Sequence, residues 1–328
     1  MLNGDPIDEL WRSQAVEEAL DLCLGCKGCK HDCPVHVDMA TYKAEFRAHH
    51  YKGRLRPRAA YSMGLIWEWS RLSASAPRLA NALLQAPGLS SILKWTAGIA
   101  PQRRLPQFAG ETFVKWFRRR HAAANGKRVV LWPDTFNNYF RPQTAIAATS
   151  VLEWLGYSVA IPDQPLCCGR PLYDWGMLDR ARWRWRETLN ALAPDIRAGT
   201  PIIGLEPACV SAFRDELPSL FPDAEDATRL AKQTIFFSEF INQHCADRKL
   251  PTMPGPALVQ IHCHHHAVLD PQSEANLLGA LQLKHEILKS GCCGMAGSFG
   301  FERNKFAVSM AAAERVLLPK FARRRLRH

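Results

Sequence analysis

The sequence is poor in uncharged apolar runs where a membrane span would need one. Between Ala59 and Ala123, Glu68, Arg71, Arg78 and Lys94 break the apolar stretches, and the longest uncharged run, Leu79 to Leu93, has 15 residues and contains Pro87. A bilayer needs about 20. No transmembrane segment is therefore expected, although contact with a membrane surface stays open because Trp67, Trp69 and Trp95 sit among basic residues. Packing in the core is the favoured reading of those tryptophans. Met1 to Leu10 is acidic and lacks the apolar stretch of a secretory leader. Acidic residues are outnumbered, 31 Asp and Glu against 42 Lys and Arg, giving a net charge of +11. The excess lies in short arginine runs (Arg54, Arg56 and Arg58; Arg118 to Arg120; Arg323 to Arg325 with Arg327), which read as solvated faces. Basic residues are not interleaved with aromatics on a recognisable module, so nucleic acid is not an expected partner. The 11 cysteines are clustered rather than evenly spread. Clustered thiols without export point to a reducing cytoplasm and to metal, not to a disulfide framework.

What is present begins with Cys23 to Pro34, Cys-Leu-Gly-Cys-Lys-Gly-Cys-Lys-His-Asp-Cys-Pro. The spacing C-x2-C-x2-C-x3-C-P is the bacterial ferredoxin run that holds a [4Fe–4S] cluster. Thiolates are the soft ligands this chemistry uses, and a tight loop turns Cys23, Cys26 and Cys29 onto one face. Gly25 and Gly28 let backbone pass close to such a cluster, and Pro34 keeps Cys33 extended. A zinc site would pair two separated C-x2-C units or add histidine at set spacing. In two-cluster ferredoxins the fourth cysteine of a run ligates the other cluster. There is no second run here, so the cluster that Cys33 serves is left open. Lys27 and Lys30, interleaved with the thiols, are expected to place positive charge beside them and raise the reduction potential.

The fold class read from the pattern is α+β multidomain: an α-helical ferredoxin domain (1–58), a helical Trp-rich connection (59–125), and two α/β repeats (126–250 and 251–328). Apolar positions from Ile7 to Leu22 recur at helical spacing, and a second helix is predicted from Met39 to about His50 with Asp38 as its N-cap. Beyond Asn125-Gly126, strands alternate with helices. Strands are predicted at Arg128–Trp132, Ser158–Ile161 and Pro201–Leu205, and helices at Gln143–Leu155 and about Met177–Ala193. Leu250 to Pro256 reads as a linker. The plan then restarts with strands at Ala257–Ile261 and near His285–Leu288, and helices at Ser273–Leu281 and about Asn304–Val316.

Strand, helix, strand and Cys-Cys-Gly thus occur twice, at 167–169 and 292–294, which marks an internal duplication. The first copy offers Cys167, Cys168 and Cys209; the second offers Cys263, Cys292 and Cys293. Loops after strands are where α/β domains place their sites. Adjacent cysteines do not easily form a relaxed disulfide, and paired thiols on glycine-terminated loops suit metal or a cluster of several irons. Buried structural thiols are the bland alternative. Cys245, on an apparent helix, reads as a core residue. His262, His264, His265 and His266 surround Cys263; on a strand end, alternate members would face opposite ways.

Leu22-Cys-Leu-Gly-Cys-Lys-Gly-Cys-Lys, Val37-Asp-Met-Ala-Thr-Tyr-Lys-Ala-Glu-Phe46, Leu131-Trp-Pro-Asp-Thr-Phe-Asn-Asn138 and Cys263-His-His-His resemble the iron–sulfur C-terminal half of FAD-linked oxidases of the D-lactate/D-2-hydroxyglutarate dehydrogenase type. The two Cys-Cys-Gly copies resemble the cysteine-rich domain found in heterodisulfide reductase and in the iron–sulfur subunits of glycerol-3-phosphate dehydrogenase and glycolate oxidase. The resemblance implies an electron relay: flavin oxidises a D-2-hydroxy acid, and clusters pass the electrons on to an acceptor. It implies a [4Fe–4S] cluster at Cys23, Cys26, Cys29 and Cys33, a second cluster at the repeats, and a flavoprotein partner that carries the FAD. Three departures accompany it. A flavin domain is absent, the second copy stops at Leu326-Arg-His328 and is expected to be incomplete, and position 134 is aspartate where relatives with cluster-binding copies have cysteine. The competing function is a thiol–disulfide oxidoreductase of the heterodisulfide-reductase kind, working through the Cys-Cys-Gly sites.

Overall fold

Proline, glycine and a capping aspartate set the first elements. The computed structural model describes residues 10–120 and 126–325. Ile7 to Glu9 of the expected first helix lie outside the described residues, as does Arg327. A short turn, Leu10–Arg12, leads into the helix Gln14–Asp21. The cysteine run follows as a loop with one short helix, Gly28–Asp32, and Cys33 leaves it extended at φ −79° and ψ 125°, the backbone region that a following proline favours. The helix Met39–His50 starts where expected, with the Asp38 carboxylate accepting the Thr41 N–H at 3.1 Å. Charge ties these two helices together, because buried Arg47 donates to Glu17 at 3.1 Å and to Asp21 at 2.6 Å.

Five helices lie between residues 58 and 119: Arg58–Met63, Ile66–Ser73, Pro77–Gln85, Leu89–Thr96 and Phe113–Arg119. The core reading of the Trp-rich segment holds for Trp67, which is buried with Phe108, Tyr139 and Cys167. It does not hold for its neighbours. Pro77–Gln85 and Leu89–Thr96 bury no side chain fully, and Leu79, Leu83, Ile92, Trp69 and Trp95 are exposed. Among the described residues no helix is long and apolar enough to cross a membrane. Arg56, read as part of a solvated run, is instead a stitch: its guanidinium donates to the carbonyls of Trp175 (2.7 Å) and Gly176 (2.9 Å).

The first repeat is a four-stranded parallel sheet made of Lys127–Leu131 (β1), Tyr157–Ala160 (β2), Ile202–Gly204 (β3) and Thr234–Phe236 (β4), in the order β2-β1-β3-β4. Alternation along the strand divides β1 between two cores. Val129 and Leu131 pack with Ala145, Leu152 and Phe240 on one face, while Val130 meets Trp185, Leu189 and Leu192 of the helix Leu178–Arg197 on the other. β4 is the strand that the sequence pattern did not show; three residues between two helices carry no period of their own. The second repeat is smaller: Ala257–Val259 (β5) and His285–Ile287 (β6) pair in parallel as a separate two-stranded sheet. The helices Gln272–Ala280 and Phe306–Glu314 fall within a few residues of expectation. The segment Cys263–Val268 is a helix capped by His262, not the end of a strand, so the alternation expected of the histidines does not apply.

The Cys-Cys-Gly turns of the two copies share one requirement. Gly169 and Gly294 have φ of +73° and +77°. A Cβ on Gly169 would come 2.6 Å from Trp185 Nε1, and one on Gly294 would come 2.1 Å from the Ser309 carbonyl oxygen. In each copy only glycine allows the left-handed turn and the close approach of a following helix.

Candidate metal centre

The ferredoxin-type loop curls back on itself because two of its residues, Gly25 (φ +66°) and Lys27 (φ +61°), are left-handed. For a lysine that conformation is costly, and the side chain shows what holds it. Lys27 is buried; its Nζ donates to Asp38 at 2.8 Å and Asp215 at 2.6 Å and lies 3.2 Å from Glu216. Burial alone would depress its pKa, but the charges of Glu216 and Asp215, with hydrogen bonds to Asp215 and Asp38, outweigh that and raise it. Asp215 and Glu216 are consecutive on a wide π-helical turn, Ala212–Glu216, which presents both to the loop. Lys27 therefore does not supply free positive charge to the thiols. It joins the loop to the first repeat. Lys30 also pairs with Asp215.

The Gly25 carbonyl is a junction of three parts of the chain. It accepts from Arg170 Nη2 at 2.8 Å and from His264 Nε2 at 3.0 Å. Arg170 directly follows the first Cys-Cys-Gly and is itself held by Asp174 at 2.8 Å and by Glu216. His264 directly follows Cys263 of the second copy. Donation to Gly25 requires the proton on Nε2, and His264 Nδ1 is then a buried nitrogen without a hydrogen-bond partner. Burial, with the charge of Arg170, depresses the pKa of His264 well below the usual range and that of His262 to about 4, so both rings are neutral. Sequence reasoning grouped the four histidines. It could not show that one of them closes on the N-terminal loop, nor that His265 is structural, bonded to the Asp270 carbonyl and Ser273.

The thiols fall into three settings. Gly25 N–H reaches Cys23 Sγ at 3.5 Å, Met39 N–H reaches Cys29 Sγ at 3.3 Å, and Gly294 N–H reaches Cys292 Sγ at 3.2 Å. Cys263 is pushed up to about 12 by burial and then by the neighbouring thiols Cys26, Cys293 and Cys292. Cys292 is raised likewise by burial, with Cys293 and Cys26 contributing. Cys26 of the loop and all three cysteines of the second copy thus share one neighbourhood. Gly297 and Ser298 of the second copy line the same cavity as Cys23, Gly25 and Lys43. The pKa of Cys33 is lowered by the N–H groups of Val37 and Val35, with burial opposing them and His36 adding to them.

The first copy differs. Cys167, Cys168 and Cys209 are all buried. Asp134, at the position expected to matter for a ligand, is a helix cap: its carboxylate accepts from the N–H groups of Phe136 (3.0 Å) and Asn137 (2.9 Å) and from the Asn137 side chain (2.7 Å). Despite a hydrogen bond with Cys168, burial and the charges of Asp134 and Glu206 push Cys209 to about 11. Cys245, read as a core residue, is buried among Phe240, Ile241 and their neighbours.

Soft donors from two distant segments, N–H groups directed at sulfur and glycine-bounded loops fit an iron–sulfur cluster at the ferredoxin-type loop and second copy.

Comparison with known proteins agrees with this geometry. The cysteine-rich domain family, CCG, matches residues 134–214 and 259–317, the two repeats. The chain is 25% identical over 316 residues to D-2-hydroxyglutarate dehydrogenase of Pantoea ananatis (strain AJ13355), covering 91% of this chain and 30% of that protein. It is 27% identical over 243 residues to a subunit of the anaerobic glycerol-3-phosphate dehydrogenase of Escherichia coli (strain K12), covering 71% of this chain and 60% of the relative. Lactate utilization protein A of Bacillus subtilis (strain 168) is 25% identical over 192 residues, 56% of this chain and 79% of the relative. The chain therefore spans about 30% of the length of the D-2-hydroxyglutarate dehydrogenases it resembles.

Replacing Lys27 tests the loop's attachment. Lys27→Met leaves Asp38, Asp215 and Glu216 without their shared cation, and loss of one partner from a buried ion cluster costs about 3–5 kcal/mol. The expected result is a lower urea midpoint, partly restored by adding Asp215→Asn and Glu216→Gln; an unchanged midpoint contradicts this assignment.

Proposed function

We propose that this chain is an iron–sulfur electron-transfer protein or subunit that relays electrons from a flavin-dependent D-2-hydroxy-acid dehydrogenase to an acceptor. The observation that carries the reading is the closure of the second repeat on the ferredoxin-type loop, where His264, next to Cys263, meets the Gly25 carbonyl between Cys23 and Cys26 at 3.0 Å. Similarity to a D-2-hydroxyglutarate dehydrogenase and to a glycerol-3-phosphate dehydrogenase subunit supports the dehydrogenase setting. A [4Fe–4S] cluster, when bound, supplies one-electron transfer. Cys23, Cys26 and Cys29 are the ligands that the loop contributes. Gly25 and Met39 donate N–H groups to the sulfurs of Cys23 and Cys29. In this reading FAD lies outside these residues, on a flavoprotein partner, and the setting is the reducing cytoplasm. The working division is 1–58 for the cluster domain, 59–125 for the connection, and 126–250 and 251–328 for the repeats.

The first repeat is a scaffold in this reading. Its thiols are buried, Asp134 is committed to capping, and the pKa of Cys209 is high. The same facts weigh against a thiol–disulfide oxidoreductase working there, since the thiolate is the attacking species. The exposed Leu79, Leu83, Ile92 and Trp95 suit peripheral contact with an anionic membrane surface. Between residues 51 and 110 nine basic residues face a single acid, Glu68, which is paired with Arg184 at 3.0 Å.

Protein purified without oxygen should carry about four irons with matching acid-labile sulfide and a broad visible absorption, which Cys26→Ala abolishes. Colourless or zinc-loaded protein contradicts the relay. Co-sedimentation should occur with vesicles containing phosphatidylglycerol and not with neutral ones, and should fall in Leu83→Glu/Ile92→Glu. Equal binding to both vesicle types, or to neither, contradicts the membrane contact.

A further inference from the structure

We infer that Lys43 is the cation that raises the reduction potential of the cluster, and that Lys27 and Lys30, the lysines interleaved with the thiols, are not. The inference rests on the iron–sulfur reading above and deepens it.

Five Lys and Arg side chains are buried among the described residues: Lys27, Lys43, Arg47, Arg170 and Lys305. Four of them are neutralised. Lys27 is held by Asp38, Asp215 and Glu216, Arg47 by Glu17 and Asp21, Arg170 by Asp174 and Glu216, and Lys305 by Asp21 and Glu302. Lys43, on the helix Met39–His50, has no carboxylate oxygen within 4 Å among the described residues. Its Nζ donates instead to the Cys23 carbonyl at 2.5 Å. Asp174 lines the same small cavity as Lys43 and Cys23, but its carboxylate accepts from Arg170 at 2.8 Å. Lys30 pairs with Asp215 at 2.5 Å. Lys27 and Lys30 together therefore face three carboxylates, whereas Lys43 faces a neutral oxygen.

A buried ammonium without a counter-ion is costly. A cluster held by thiolates supplies the missing negative charge, and its reduction adds one more. Covalent geometry brings Lys43 within range whichever way the thiol turns. The carbonyl oxygen and Sγ of one cysteine are at most about 5 Å apart at standard bond lengths, so Nζ lies within about 8 Å of Cys23 Sγ. The centre of a cluster bound there is a few ångströms further. At about 12 Å and an effective dielectric constant of about 20, one unit charge shifts a one-electron equilibrium about tenfold, or about 59 mV.

The full-length chain, purified without oxygen and loaded with iron and sulfide, is titrated with dithionite and mediators at pH 7 while the EPR signal of the reduced cluster is followed. Lys43→Met and Lys43→Gln should lower the midpoint by about 59 mV or more, a tenfold weaker reduction. Lys43→Arg should restore it, and Lys30→Met should leave it at the wild-type value. A purely structural lysine would alter the urea midpoint without moving the potential. An iron-loaded Lys43→Met with the wild-type midpoint overturns the inference, as does an equal fall in Lys30→Met or in Lys43→Arg. Loss of iron from both neutral variants makes Lys43 a structural residue and overturns it too. Wild-type protein devoid of iron overturns the relay reading itself, so the two failures are told apart.

Discussion

One backbone oxygen, the carbonyl of Gly25, receives a guanidinium from one repeat and an imidazole from the other. Both donors directly follow a cysteine motif: Arg170 comes after Cys-Cys-Gly, and His264 comes after Cys263. The loop that carries three of the candidate ligands is therefore positioned by the repeats rather than by its own short helices. A loop of this size has little apolar surface with which to hold its shape. Removing either donor would leave the Gly25 carbonyl with one of its two hydrogen bonds.

Charge performs the same task around that point. Lys27 gathers Asp38, Asp215 and Glu216; Arg47 gathers Glu17 and Asp21; Lys305 of the second repeat reaches Asp21 at 2.7 Å. Buried ion pairs add little net stability over well-packed apolar residues, but they penalise misplacement severely. That trade suits a site assembled from segments more than two hundred residues apart, as where His264 meets Gly25. The glycine-bounded loop of the second repeat is fixed in the same manner, with Arg103 donating to the Gly300 carbonyl at 2.6 Å and to Ser309 at 2.8 Å.

What could be read from the residues was local. Asp38 announced the helix Met39–His50, Pro34 announced the extended Cys33, and alternating apolar stretches located β1, β2, β3, β5 and β6 to within a few residues. The duplicated Cys-Cys-Gly was legible, and the match of the cysteine-rich domain to both copies bears it out. What failed depended on tertiary partners. Lys27 looked like a cation beside sulfur, because the carboxylates that claim it are near residue 215. Cys263 looked like a strand end, because the His262 cap that starts a helix there is a single side chain. The contact of His264 with the Gly25 carbonyl has no signature in either segment.

The central claim is that loop, second repeat and cluster form one cooperative unit clamped at Gly25. It is tested most directly by urea unfolding of the anaerobic holoprotein, following visible absorption and far-UV circular dichroism together. Metal binding coupled to folding predicts coincident transitions, with Arg170→Met shifting both midpoints downward by the same amount. Absorption lost in a separate, earlier step, while the ellipticity and its response to Arg170→Met stay unchanged, would contradict it.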